Sequence, residues 1–163
     1  MLSHQDLIDE LDYSPVTGLF RRKRSSGGVR AGSIAGAQDG MGYLRIRVLG
    51  RKYKAHRLAW LYVNGEWPRQ CIDHIDGDGT NNAIGNLRDV SNQQNCKNQK
   101  SRPSKSWLLG VRRLHSGNYA ARIQFDGKEV PLGTYPNLFD AISARKSAEN
   151  KYGFHPNHGR LAA

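Results

Sequence analysis

Asp73 and His74 stand side by side at the end of a short apolar run, Cys71-Ile72. Asn86 opens a second short run, and Asn95 follows it. One carboxylate, one imidazole and two amides are able to converge, and a hard metal beside a proton acceptor would suit hydrolysis of a phosphodiester. The carboxylate of Asp73 and the amide oxygen of Asn95 are hard donors that suit Mg²⁺ or Mn²⁺ rather than zinc. Two protein ligands leave room for waters and phosphate oxygens. A neutral His74 can take a proton from water near neutral pH. The plainer alternative is that Asp-His and scattered asparagines are turn-formers of a polar loop. One geometric demand is explicit. Neighbours on a strand point to opposite sides, so a bulge or a strand end is needed to aim Asp73 and His74 at one phosphate.

The elements that must position these groups read as strand, loop, strand, helix. The loop is the Gly/Asn-rich stretch from Asp76 to Gly85. Ser91 and Gln94 have capping-box spacing, which places Asn95 in the first turn or so of a helix. Upstream, Ala55–Val63 reads as a compact helix stopped by Asn64-Gly65, with His56 as a structural histidine. Leu44, Ile46 and Val48 alternate with Tyr43, Arg45 and Arg47, so the first set faces a core and the second faces out. That outward set contains no acid, which suits a DNA-backbone surface through Arg45 and Arg47. Further upstream, Ser3 to Asp6 can cap a short helix, and Tyr13 to Phe20 reads as strand, turn, strand. Arg21 to Gly28 reads as a basic, flexible loop.

Charge shapes the rest. The 163 residues carry 25 Lys+Arg against 14 Asp+Glu, a net charge of +11. Eleven Lys/Arg and one acid, Asp39, lie between Arg21 and Arg57, and twelve against four lie in 97–163. Two basic flanks around a mixed centre favour a polyanion, and nucleic acid is the default. No apolar run approaches a membrane span and no signal-peptide core is present, so a cytoplasmic protein is expected. Cys71 and Cys96 lack Cys-x-x-Cys spacing and are expected as reduced, packed thiols.

After Asn95 a polar, Pro-broken stretch reads as a linker, and a second module follows. Tyr119, Ala121, Ile123 and Phe125 alternate with Ala120, Arg122, Gln124 and Asp126. Asp126-Gly127 signals a two-residue hairpin. Asn137 caps a helix in which Leu138, Ala141, Ile142, Arg145, Ala148 and Tyr152 recur at helical spacing. The stretch from His155 onward is expected to fray.

His56-Arg57-Leu58-Ala59-Trp60, Ile72 to Asp78, Asn86-Leu87-Arg88 and Asn95 together resemble HNH endonucleases of the phage homing type. The resemblance covers roughly residues 40–98 and implies the ββα-metal (His-metal finger) fold. It implies His74 as the general base, Asp73 and Asn95 as ligands of one divalent metal, and Asn86 as the residue that holds the loop and the base. Ala83 stands where many relatives carry arginine. Gly110-Val111-Arg112, Tyr119 to Ile123, Leu132 to Tyr135 and the Ala-rich helix resemble an Apetala-two/ethylene-response-factor DNA-binding domain. That likeness implies Arg112, Arg122 and Gln124 facing DNA.

The expected architecture is α+β. Residues 1–54 form a basic, β-rich DNA-contacting region and 55–98 the nuclease core. A linker at 99–107 leads to a three-stranded antiparallel sheet plus one helix at 108–153, and 154–163 is a flexible tail. The expected activity is metal-dependent, sequence-preferring cleavage of double-stranded DNA. One active site implies nicking by a monomer with no obligatory protein partner. The competing expectations are a non-catalytic, transcription-factor-like DNA binder with a decayed core, and a structure- or RNA-directed nuclease.

Overall fold

The computed structural model describes residues 1–98 and 110–159. The chain divides into two compact units, 1–92 and 93–163. The linker expected at 99–107 lies outside the described residues.

In the first unit, Ser3 caps α1 (His4–Glu10): its side chain accepts from Asp6 N–H while Asp6 answers to the Ser3 backbone, a complete capping box. The helix runs straight into β1 (Leu11–Tyr13), which pairs antiparallel with β2 (Phe20–Arg22). β3 (Ile34–Ala35) adds to the far side of β2. A second sheet holds β4 (Ala37–Gln38), β5 (Leu44–Val48) and β6 (Arg51–Lys54) in that order. Ile46 and Val48 are buried while Arg45 and Arg47 are exposed, as the period-2 pattern requires. α2 (Ala55–Asn64) follows and stops at Gly65, whose φ of 74° only glycine adopts easily. β7 (Cys71–His74) and β8 (Leu87–Val90) form a two-stranded antiparallel ladder, and α3 (Asn92–Cys96) begins just beyond it.

One core gathers Leu7, Leu11 and Phe20 with Ile46, Leu58, Leu61, Ile72 and Leu87. The N-terminal region and the candidate nuclease segment therefore share a single hydrophobic core. Each fully buried Leu or Phe contributes about 1.5–3 kcal/mol, so the contacts across this core stabilise both parts together. The basic stretch after β2 is exposed and makes local contacts. Lys23 pairs with Asp12 (3.3 Å), Arg24 approaches Glu10 (3.8 Å), and Ser26 bridges to Val29.

The second unit holds β9 (Val111–Arg113), β10 (Tyr119–Phe125) and β11 (Lys128–Tyr135), antiparallel in the order β11-β10-β9. Asp126 and Gly127 both take positive φ in the connecting turn, as the hairpin signal predicts. α4 (Leu138–Lys151) is capped by Asn137 and buries Ala141, Arg145 and Ala148; Leu138 is largely exposed. Arg145 is buried and its polar end is fully engaged. Its guanidinium reaches Glu149 (3.0 Å), the Arg122 carbonyl (2.8 Å) and the His158 ring (3.3 Å). His158 is consequently buried, within the stretch expected to fray from His155. Lys97 donates to the Tyr152 carbonyl (2.8 Å) and sits over the Phe125 ring, while its own carbonyl accepts from His155 N–H. Among the described residues no helix is long and apolar enough to cross a membrane.

Candidate active site

The β7–β8 connection is a polar loop that must satisfy its own backbone groups. Asn86 is its main brace. Its side-chain oxygen accepts from Asp76 N–H (3.0 Å), and its Nδ2 donates to Asp76 Oδ1 and to the Asn81 carbonyl, both at 2.9 Å. Its backbone carbonyl accepts from Ile75 N–H (2.9 Å). Asp76 Oδ2 accepts from Asn81 Nδ2 (2.7 Å) and Oδ1 from Asp78 N–H (2.8 Å). Burial opposes ionisation of Asp76, but donors from Asp78, Asn81 and Asn86 together hold its carboxyl below the usual range.

His74 is the last residue of β7 and is buried. Its Nε2 lies 3.3 Å from Asn82 Oδ1. Asn82 Nδ2 is already committed to the Thr80 carbonyl (2.9 Å), so Oδ1 accepts and Nε2–H donates. In the neutral ring that assignment places the basic lone pair on Nδ1. Burial pushes the His74 pKa down. The Asn82 bond and the carboxylates of Asp76, Asp73 and Asp78 push it up, and burial prevails. The ring is therefore neutral at pH 7, the state a general base needs.

Asn82 is fully buried and is held from the N-terminus of the chain. The Tyr13 hydroxyl donates to its carbonyl (2.7 Å), and burial raises the Tyr13 pKa to about 12. Ile84 N–H donates to the Pro15 carbonyl (3.1 Å). Gly18, at φ 71°, packs so closely that an added Cβ would lie 2.3 Å from Ala83 N. The β1–β2 turn is thus a clamp on the segment that orients His74. Sequence reasoning passed over Asn82 as one more loop amide. Nothing in the spacing of Tyr13, Gly18 and Asn82 signals that they meet.

The β7–β8 register is regular, pairing Asp73 with Arg88 and His74 with Leu87, so no bulge turns the two neighbours together. His74 is the last residue of the strand, and the two neighbours keep the alternation of the ladder. Asp73 Oδ2 accepts from Arg88 Nε (2.9 Å) and Nη2 (2.7 Å) on one face. The His74 ring meets the His56 ring edge-on (5.0 Å between centroids) and lies 6.0 Å from Tyr43 on the other. Tyr43, expected to face out, is half-buried here because it precedes β5 and packs on the two histidines. His56 is buried with no hydrogen-bond partner at Nδ1 among the described residues. Burial first, then the positive field of its neighbours, lowers its pKa to about 3.

Asn95 lies on α3, half-buried, and belongs to the second unit; its carbonyl accepts from Asn98 N–H (3.1 Å). Among the described residues no cluster of three or more His, Cys, Asp or Glu could hold a metal ion. Arg45 and Arg47 are exposed on the sheet of the first unit, and Arg45 pairs with Asp39 (2.7 Å). Backbone and Arg45 donors pull the Asp39 pKa to about 2. In the second unit Arg112, Arg122 and Gln124 are exposed, and Ala120, opposite Arg112, places all three on one face. Arg122 on that face is paired with Glu129 (2.7 Å).

Residues 53–97 match the family described as HNH endonuclease. Over 115 residues the chain is 35% identical to an uncharacterized HNH endonuclease of Acanthamoeba polyphaga mimivirus, a stretch that covers 63% of this chain and 60% of that relative. The chain thus spans less than two thirds of the relative's length. No solved structure matches. The family match runs from the end of β6 through α2, β7, β8 and α3, and so covers His56, Asp73, His74 and Asn95 on those elements and Asn86 in the loop between β7 and β8.

Proposed function

We propose that this protein is an HNH endonuclease that hydrolyses phosphodiester bonds of double-stranded DNA with one divalent cation, Mg²⁺ or Mn²⁺. The observation that carries the reading is the buried, neutral His74, its Nε2–H engaged by Asn82, inside the segment that matches the family. In this reading Nδ1 of His74 takes a proton from water as the water oxygen attacks phosphorus. The P–O3′ bond breaks and the 3′ oxygen leaves. Asn86 keeps the loop, and with it the base, in register.

The donor set suits a hard cation: a carboxylate whose Oδ2 is already oriented by Arg88, and the amide oxygen of Asn95. With only these two protein oxygens, water and phosphate would complete the shell. When bound, such an ion stabilises the charge that grows on the phosphate and on the leaving oxygen. The strand–strand–helix order of β7, β8 and α3 supports the ββα-metal arrangement. Arg45 and Arg47 contact the phosphate backbone. Arg112, Arg122 and Gln124 form an Apetala-two-like reading face, supported by the three-stranded sheet backed by α4. The role that fits these parts is a phage homing enzyme, acting as a monomer that nicks one strand.

The test is a supercoiled plasmid with Mg²⁺. Wild type should convert it to open circles, and His74→Ala should slow this by about 10²–10⁴-fold. If both proteins shift DNA in a gel yet leave the plasmid supercoiled, the chain is a DNA binder without catalysis. Direct linearisation in one binding event would contradict the monomeric nickase.

A further inference from the structure

The β5–β6 hairpin closes with a two-residue turn, Leu49-Gly50, at φ 45° and 79°. Such turns require positive φ at both positions and favour Asn, Asp or Gly. The corresponding turn of the second unit obeys this with Asp126-Gly127. At Leu49 the left-handed conformation is strained, and no burial compensates, because the residue is 61% exposed. A large apolar side chain held out to solvent against its backbone preference points to a task.

The strands behind it say what the partner is. Across β5 and β6, Arg45 lies opposite Lys54 and Arg47 opposite Lys52. Like charges directly opposite destabilise a ladder. Among the described residues, the carboxylate paired with this group is Asp39, through Arg45; Lys54 rests over the Tyr43 ring (4.6 Å). Arg51 adds a further exposed cation beside the tip. Phosphates along a duplex would relieve this repulsion.

The strip also has a direction. One end is Tyr43, packed on His74, and the other is Leu49. Six residues at about 3.3 Å each span roughly 20 Å, or about six base-pair steps.

We propose that Leu49 is a wedge that enters a base step of duplex DNA while Arg47, Lys52 and Arg45 grip the flanking phosphates, about six base pairs from the bond addressed by His74. Apolar side chains that enter the stack in this way partly unstack and bend the duplex. The inference rests on the proposed reading for its DNA partner and for the position of the chemistry.

Insertion unwinds DNA whatever the sequence. A closed circular plasmid is relaxed by a metal-independent topoisomerase in EDTA, with wild type, Leu49→Gly or Leu49→Asn bound at equal occupancy. Wild type should shift the topoisomer distribution, and the variants should shift it at least about threefold less. Both variants should melt higher than wild type, since the turn strain is gone. Once the nick is mapped, 2-aminopurine about six base pairs away should brighten with wild type and stay dark with Leu49→Gly. Equal unwinding by wild type and variants overturns the wedge, as does binding of Leu49 to anionic lipid vesicles with no effect on duplex. Wild type that unwinds DNA but never cuts it with Mg²⁺ sinks the nuclease reading and leaves the wedge standing. Wild type that cuts while Leu49→Gly unwinds equally sinks only the wedge.

Discussion

Replacing His56 by Phe should make the first unit markedly less sensitive to acid. In the folded protein the His56 ring is buried beside His74, Lys54 and Arg57, and its pKa falls from 6.5 to about 3. In the unfolded chain it protonates near 6.5. Below that pH the unfolded state binds a proton that the folded state refuses. The stability this ring contributes is therefore present above pH 6.5 and is lost progressively as pH falls toward 3. At pH 5 the gap is about 1.5 pH units, or about 2 kcal/mol at roughly 1.4 kcal/mol per unit. Phe keeps an aromatic edge against His74 and cannot titrate. The assay is urea unfolding at pH 7 and pH 5 in EDTA, followed through Trp60 and Trp67, which pack against the first core. Wild type should lose about 2 kcal/mol more between the two pH values than His56→Phe. Equal losses would refute burial of a neutral His56 as a source of acid lability, whatever the absolute stability of the variant.

Three other outcomes are expected. Gly18→Ala should destabilise the protein by at least about 2 kcal/mol in the same unfolding assay and reduce nicking, because its Cβ cannot coexist with Ala83 N and its φ is left-handed. Asn82→Leu should lower kcat by about 10–100-fold with KM little changed, and the His74 tautomer, read from ¹⁵N shifts, should lose its preference for Nε2–H. Arg47→Ala should weaken duplex binding and reduce the slope of log affinity against log salt by about one, as loss of a single phosphate contact does.

Local signals in the sequence carried the elements well. Alternation placed Ile46 and Val48 inside and Arg45 and Arg47 outside, and Asp126-Gly127 and Gly65 marked a turn and a helix stop. These depend on neighbours a few residues apart. The contacts that complete the candidate site depend on chain segments that nothing local links. Tyr13 reaches Asn82, Tyr43 and His56 reach His74, and Arg88 reaches Asp73. His158 fell in the stretch expected to fray because the buried guanidinium that holds it, Arg145, is on the preceding helix and was legible only as one of its periodic positions. Of the two devices expected at Asp73-His74, a bulge or a strand end, the ladder shows no bulge and ends at His74.

The shared core has a consequence for anyone who would move this centre into another protein. The stretch that the family match recognises, 53–97, is not a portable cassette. Its apolar face is completed by Leu7, Leu11 and Phe20, and its histidine is aimed through a hydroxyl supplied by Tyr13. A graft would have to bring residues 2–22 with it. Cut at the turn after β2, the two fragments should recombine in trans, and the short N-terminal piece would then act as a removable key for the loop that holds His74.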